Sequence, residues 1–265
     1  MHTERLIHEL SDSGVLRLTL NDAQRRNALS LALLEALAES LQMATQNQQV
    51  RVIVIAANGP AFCAGHDLKE INEARAQEDE GLAFFTHLFT LCSQVMQAIV
   101  HHPKPVIAEI DGVATAAGCQ LVASCDLAIA TEHSRFATPG VNIGLFCSTP
   151  MIALSRNVAP KHAMEMLLTG DMISAEKAQH IGLVNQVVSA TEISAQTLAL
   201  AEKIAAKSTL VLKIGKRAFY EQLTMALPEA YEYASQVMVD NMLKADAKEG
   251  IAAFIGKRPP QWRDE

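Results

Sequence analysis

Two short stretches hold the residues with the most chemistry to offer. The first is Asp111-Gly112-Val113-Ala114-Thr115-Ala116-Ala117-Gly118-Cys119-Gln120-Leu121. The apolar segment Val106 to Ile110 leads into it, and nothing from Ala114 to Gly118 exceeds threonine in size. The pattern predicts a strand, a tight turn and the start of a buried helix, with backbone bare enough for a ligand to lie against. The first amides of a helix have no partner inside it and point outward at the positive end of its dipole. Such a place suits an oxyanion, or a carbonyl that must become one. The alternative reading is close packing of a helix on a sheet. The second stretch, Ala61-Phe62-Cys63-Ala64-Gly65-His66-Asp67-Leu68-Lys69, also follows a strand, Val52 to Ala56. Two backbone-rich turns after two strands can supply two N–H groups to one oxygen.

The elements that would position these turns follow from periodicity. Val15 to Leu20 alternates and pairs with Leu6 to Leu10 across Asp12-Ser13-Gly14. Asn21 to Asn27 is a polar loop. Ser30 is an N-cap, and Leu31, Leu34, Leu37 and Leu41 give an amphipathic helix to about Asn47. Lys69 to Glu80 is charged and reads as a mobile loop or short helix that could serve as a lid. Leu82 to Val100 is a long helix, stopped by His101-His102-Pro103-Lys104-Pro105, with both histidines at a surface helix end. Leu127 to Ala130 is a strand, and Phe136 begins a shorter one. From Pro150 the chain is almost all helical, apart from a short strand within Ile181 to Val188. The apolar stripe of Ala234, Val237, Met238 and Met242 reads as packing and subunit contact. Strands alternating with helices over short turns mean an α/β layered fold.

Composition narrows the function. The chain has 265 residues, 49% hydrophobic and 19% charged, enough for one large domain or a domain with a helical appendage. A net charge of −7 gives no basic surplus for nucleic acid. Five cysteines, without a C-x-x-C pair or metal-ligand spacing to the nine histidines, read as reduced thiols in the cytosol. A mitochondrial matrix location after removal of a transit peptide is the other option. Met1 to Glu9 carries no apolar signal core, and no apolar run is read as reaching the roughly 20 residues of a membrane span. Dinucleotide, phosphate-loop, G-x-S-x-G and H-E-x-x-H signatures do not occur.

Asn27-Ala28-Leu29, Phe62 to Leu68, Pro105 to Gly118, Cys125 to Ala130, Leu168-Thr169-Gly170, the segment from Ile173 to Val184, and Glu249 to Phe254 together resemble the crotonase superfamily, the enoyl-CoA hydratase/isomerase family. The similarity spans nearly the whole chain. It implies a spiral of ββα units at 1–190 carrying the coenzyme A site, and a helical trimerisation region at 191–265. It also implies a trimer or dimer of trimers, an acyl-CoA or enoyl-CoA thioester as substrate, and a part in fatty acid metabolism. No separate cofactor or metal is implied, because coenzyme A belongs to the substrate. By motif position the thioester oxygen lies between the backbone N–H groups of His66 and Ala117. Ala64, His66, Asp67, Leu68 and Lys69 correspond to the segment touching adenine and pantetheine. Lys257, from a neighbouring subunit, and Arg25 are candidates for the phosphates.

The same resemblance marks a departure. Family hydratases use two glutamates, whose positions fall at Gln120 and Gly140. An amide can orient a water but cannot take its proton, and glycine offers no side chain. Substitutes for the missing acid–base groups are His66, Asp67, Glu70, Glu73 and Glu109. Each has a bland alternative: loop packing for His66, a turn for Asp67, a solvated face for Glu70 and Glu73, and a paired strand carboxylate for Glu109. Cys119, Cys125 and Cys147 read as inert packing thiols, with Cys147-Ser148-Thr149 shaping the acyl pocket. The rival functions are another thioester reaction (isomerisation, decarboxylation or thioester hydrolysis) and non-catalytic acyl-CoA binding.

Overall fold

The computed structural model describes residues 5–265, so Met1 to Glu4 of the N-terminal reading lie outside the described residues. Strands β1 (Leu6–Leu10) and β2 (Val15–Leu20) form the antiparallel hairpin expected, with Leu6 opposite Leu20. The chain continues through helix α1 (Leu31–Gln46), strands β3 (Val52–Ala57) and β4 (Ala61–Cys63), and helices α2 (Leu68–Ala74) and α3 (Leu82–Val100). Strands β5 (Val106–Ile110) and β6 (Val113–Thr115), helix α4 (Ala117–Ser124), and strands β7 (Leu127–Thr131) and β8 (Arg135–Ala137) follow. Helices α5 (Pro150–Asn157) and α6 (Pro160–Thr169), strand β9 (Ile173–Ser174), helix α7 (Ala175–His180) and strand β10 (Gln186–Val188) complete the layered part. Helices α8 (Ile193–Ala205), α9 (Thr209–Gln222), α10 (Leu227–Met242) and α11 (Ala245–Ile255) close the chain.

The strands form a six-stranded sheet, ordered β1-β2-β3-β5-β7-β10, and a four-stranded sheet, ordered β4-β6-β8-β9. From β2 to β10 the larger sheet is parallel. Parallel strands are covered on both faces, which explains the continuous apolar runs Val52 to Ala56 and Val106 to Ile110. Leu33, Leu34, Leu37 and Leu41 of α1 are fully buried on one face, while α8 covers the other with Ala201 and Ala205 against Val52, Val54 and Ile107. Where a β-strand of the large sheet ends, the chain crosses into the small one: β3 into β4 and β5 into β6. Those two crossings deliver the two turns singled out above.

Three helix starts are capped by serine: Ser30 Oγ accepts from the Leu33 amide, Ser174 Oγ from Lys177 and Ser208 Oγ from Val211. Two readings need correction. Leu82–Val100 is long and apolar enough to cross a membrane by length and composition, with mean hydropathy 1.4. In the fold it is a packed helix instead, burying Leu88, Cys92, Val95, Met96 and Ile99 in the core. His102 is not at the surface but 3% exposed. The loop after α3 turns back under the C-terminal end of α1, where the His102 ring meets the Leu41 carbonyl at 3.1 Å and Lys104 Nζ donates to the Ala44 and Asn47 carbonyls. Of these carbonyls, that of Ala44 lies in the last turn of α1, where the helix itself supplies no partner.

Candidate active site

The first turn is held from beneath by the segment after the polar loop. Asn27 is fully buried with φ 52°, and its Nδ2 donates to the carbonyls of Asn58 (2.9 Å) and Ala61 (2.8 Å). The Ala64 amide donates to the Arg26 carbonyl, and the Leu29 amide to the Gly65 carbonyl at 2.7 Å. Asp67 is the turn-former anticipated: Oδ1 accepts from the Lys69 amide at 2.9 Å and starts α2, while Oδ2 pairs with Arg25 Nη1 at 2.9 Å. Arg25 thus ties to the turn through Nη1 while 45% of its side chain stays exposed. Leu68 and Lys69 are exposed, Ala64 is half-buried, and Lys257 is exposed with φ 52° beyond the end of α11.

The second turn abuts the first. Thr115 Oγ1 donates to the Ala64 carbonyl at 3.1 Å. A Cβ on Gly118 would fall 2.1 Å from the Cys63 carbonyl oxygen, so only glycine lets α4 approach β4 this closely. Gly65 has φ 93°, and a Cβ there would meet the Ala116 Cβ at 3.0 Å and the Ala117 nitrogen at 3.5 Å. Ala117 is the first residue of α4, so alanine fits where the family more usually has glycine. The unusual backbone lies one residue earlier. Ala116 has φ 50° and ψ −118°, a conformation nearly reserved for glycine, and its amide is anchored to the Ala137 carbonyl at 2.9 Å. This residue was missed in the sequence, because a run of alanines carries no signal of positive φ. The twist starts α4 with its Ala117 N–H directed outward. Neither the His66 nor the Ala117 amide has an acceptor among the described residues. An oxygen set against both would accept two hydrogen bonds at the positive end of a helix.

The expected acid–base positions lie on α4 and in the turn after β8. Gln120 is buried on the first turn of α4, and its Oε1 has no partner among the described residues. Thr138, also missed, is buried just past β8 with its hydroxyl unpartnered. The Gly140 amide donates to Cys147 Sγ at 3.3 Å. A Cβ on Gly140 would lie 2.9 Å from the Leu145 carbonyl oxygen and 3.0 Å from Cys147 Sγ, so the space for a side chain there is filled. The thiols are poor nucleophiles: burial pushes Cys63 and Cys119 up to about 12 and raises Cys147.

Of the alternative carboxylates, Asp67, Glu70 and Glu109 are engaged. Glu109 accepts both Arg17 guanidinium nitrogens at 2.9 and 2.5 Å, as a paired strand carboxylate. Glu70 is not on a solvated face: its Oε2 accepts from the Leu31 amide at 3.1 Å, at the start of α1. Glu73 is exposed. The His66 ring packs edge-on against Phe89, centroids 5.3 Å apart, with Nδ1 3.2 Å from the Leu29 carbonyl oxygen. Burial lowers its pKa, opposed by the Leu29 hydrogen bond.

A spiral of parallel sheets with paired backbone-rich turns at their crossings defines an α/β protein of the crotonase fold. The profile described as Enoyl-CoA hydratase/isomerase matches residues 11–265, and the chain belongs to that family. Enoyl-CoA hydratase domain-containing protein 3, mitochondrial, of Mus musculus is 47% identical over 258 residues, covering 97% of this chain and 84% of the relative. Its Homo sapiens counterpart is 48% identical over 252 residues, covering 95% and 82%. Among solved structures, an enoyl-CoA hydratase of Mycobacterium smegmatis superposes with TM-score 0.93 at 47% identity, covering 98% of this chain and 99% of that one. Human enoyl Coenzyme A hydratase domain-containing protein 3 gives TM-score 0.92 at 46% identity, covering 98% and 100%.

Proposed function

We propose that this protein binds an acyl-CoA thioester and stabilises the enolate oxygen of its acyl group between the His66 and Ala117 amides, without working as an ordinary hydratase. The observation that carries this reading is the pair of unpartnered amides on abutting turns, one aimed by a strained Ala116. Strain of that kind costs about 1–3 kcal/mol and persists where the surroundings impose it. One such donor is worth roughly 10²–10³ in rate. Family membership supports the thioester, with Ala64, Asp67, Leu68 and Lys69 beside it and Lys257 of a neighbouring subunit toward the phosphates. Hydration also needs a base for water and an acid for carbon. Gln120 and Gly140 supply neither, and each such group is worth about 10²–10⁴. The mitochondrial names of the mouse and human relatives favour a matrix location over the cytoplasm, and the five free thiols suit either reducing interior.

The filled space at Gly140 favours a thioester reaction other than hydration. In the test, purified protein meets short- and medium-chain trans-2-enoyl-CoAs while enoyl absorbance is followed, and butyryl-CoA binding is measured against free CoA. Tight thioester binding with no absorbance loss above a heat-killed control is the expected result. Rapid absorbance loss would overturn the weight placed on Gln120 and Gly140. Restoring both carboxylates by Gln120→Glu and Gly140→Glu is expected to bring no gain in hydration, because the Leu145 carbonyl oxygen at 2.9 Å and the Cys147 sulfur at 3.0 Å fill the second carboxylate's path; a gain would show a hydratase-like pocket.

A further inference from the structure

The His66 ring has a use that packing alone does not explain. The Leu29 carbonyl can only accept a hydrogen bond, so the Nδ1 facing it at 3.2 Å carries the proton. That tautomer leaves a lone pair on Nε2, which is fully buried and has no partner among the described residues. A buried acceptor left unpaired costs about 1–3 kcal/mol, so it calls for a donor that the protein itself does not provide. The edge-on contact with Phe89 holds the ring plane. Of the other candidate bases near the turn, Asp67 is spent on Arg25 and the Lys69 amide, Glu70 on the Leu31 amide, and Glu73 is exposed on α2. The neighbouring thiols stay protonated at neutral pH, while burial keeps the imidazole neutral and able to accept a proton.

We infer that His66 is the catalytic base of this site, its amide holding the thioester oxygen while its Nε2 takes a proton from the acyl chain of the same ligand. The inference rests on the thioester-binding reading above. In the step, a C–H bond next to the thioester carbonyl breaks and an N–H bond forms at Nε2. The freed electron pair makes a carbon–carbon double bond to the carbonyl carbon, and the carbonyl π pair moves onto the oxygen between the His66 and Ala117 amides. The imidazolium then returns the proton to the same carbon. For a 3-enoyl chain it delivers the proton two carbons further along, which shifts the double bond into conjugation. The sequence needs one base, no water and no second carboxylate, which fits a site with Gln120 and Gly140 where family hydratases have glutamates.

Deuterium exchange tests this without requiring the physiological substrate. The full-length protein is incubated with butyryl-CoA in D₂O, deuterium in the recovered thioester is read by mass spectrometry, and butyryl-CoA binding is measured in parallel by calorimetry. The unmodified protein is expected to exchange the protons beside the carbonyl, and His66→Gln to lose about 10²–10⁴ in exchange rate with binding within a few-fold. Equal exchange by H66Q, or none by the unmodified protein above a protein-free control, overturns the base assignment. Binding of the thioester in either case leaves the thioester reading standing. If H66Q does not fold, His66→Ala with added imidazole decides: restored exchange supports the inference, and failure of rescue in a folded, thioester-binding H66A sinks it.

Discussion

At the scale of single residues, the site is made by what side chains leave out. Gly118 and Gly65 bring two backbones into contact, and Ala116 accepts a backbone conformation that alanine resists. Relief of strain at Ala116 is worth about 1–3 kcal/mol, and the added freedom of an unfolded glycine takes back about 0.4–1. Ala116→Gly should therefore stabilise the fold by about 1 kcal/mol and raise the melting temperature by about 2–4 °C, as scanning calorimetry would show. Ala116→Val should lower it and weaken butyryl-CoA binding. A melting temperature that falls in A116G would mean that the φ of 50° is not strained in this setting.

The helices and strands meet through buried polar joints that carry their own pH dependence. Lys216 of α9 donates to the Asp126 carboxylate at 2.6 Å and to the Ile99 and Lys104 carbonyls, and Tyr220 donates to Asp126 at 2.9 Å. This ties α9 to the loops before β5 and β7. Beside it, His102 joins the ends of α1 and α3. Burial lowers its pKa from 6.5 to about 4, helped by the charges of Lys216 and Lys104 and opposed by its bonds to Leu41 and Lys104. The unfolded chain then takes up a proton that the folded one refuses. The neutral ring's contribution is fully present above pH 6.5 and is lost as pH falls toward 4, a difference of about 3 kcal/mol. Urea unfolding between pH 7 and pH 4.5 should show that decline, and His102→Gln should flatten much of it. An unchanged slope in H102Q would place the titrating group elsewhere.

At the scale of the whole molecule, the C-terminal helices look unfinished in a single chain. Neither α9 nor α10 buries a residue, and Leu243 is 67% and Phe254 86% exposed. Apolar surface of this extent marks an interaction site, in keeping with the apolar stripe of α10 and with a trimer or dimer of trimers. Sedimentation should give three or six times 28.7 kDa, and Leu243→Glu with Phe254→Glu should dissociate it. A single 28.7 kDa species in the unmodified protein would remove the assembly and, with it, any place for Lys257 of a neighbouring subunit.

The sequence by itself determined the strands of the large sheet and most of the helices, the caps at Ser30 and Ser174, the turn at Asp67 and the two backbone-rich stretches. All of these depend on local periodicity and on residue size, while β4, β6 and β9 were too short to read from the sequence. Only the tertiary structure decided which polar groups are satisfied. Leu31 and Glu70, and Leu29 and His66, are partners brought together by chain crossings that no local pattern encodes. The burial of His102, the strain at Ala116 and the lone pair on His66 arise from the same cause. Each depends on which distant backbone closes over the residue, and that is set by packing rather than by neighbours in sequence.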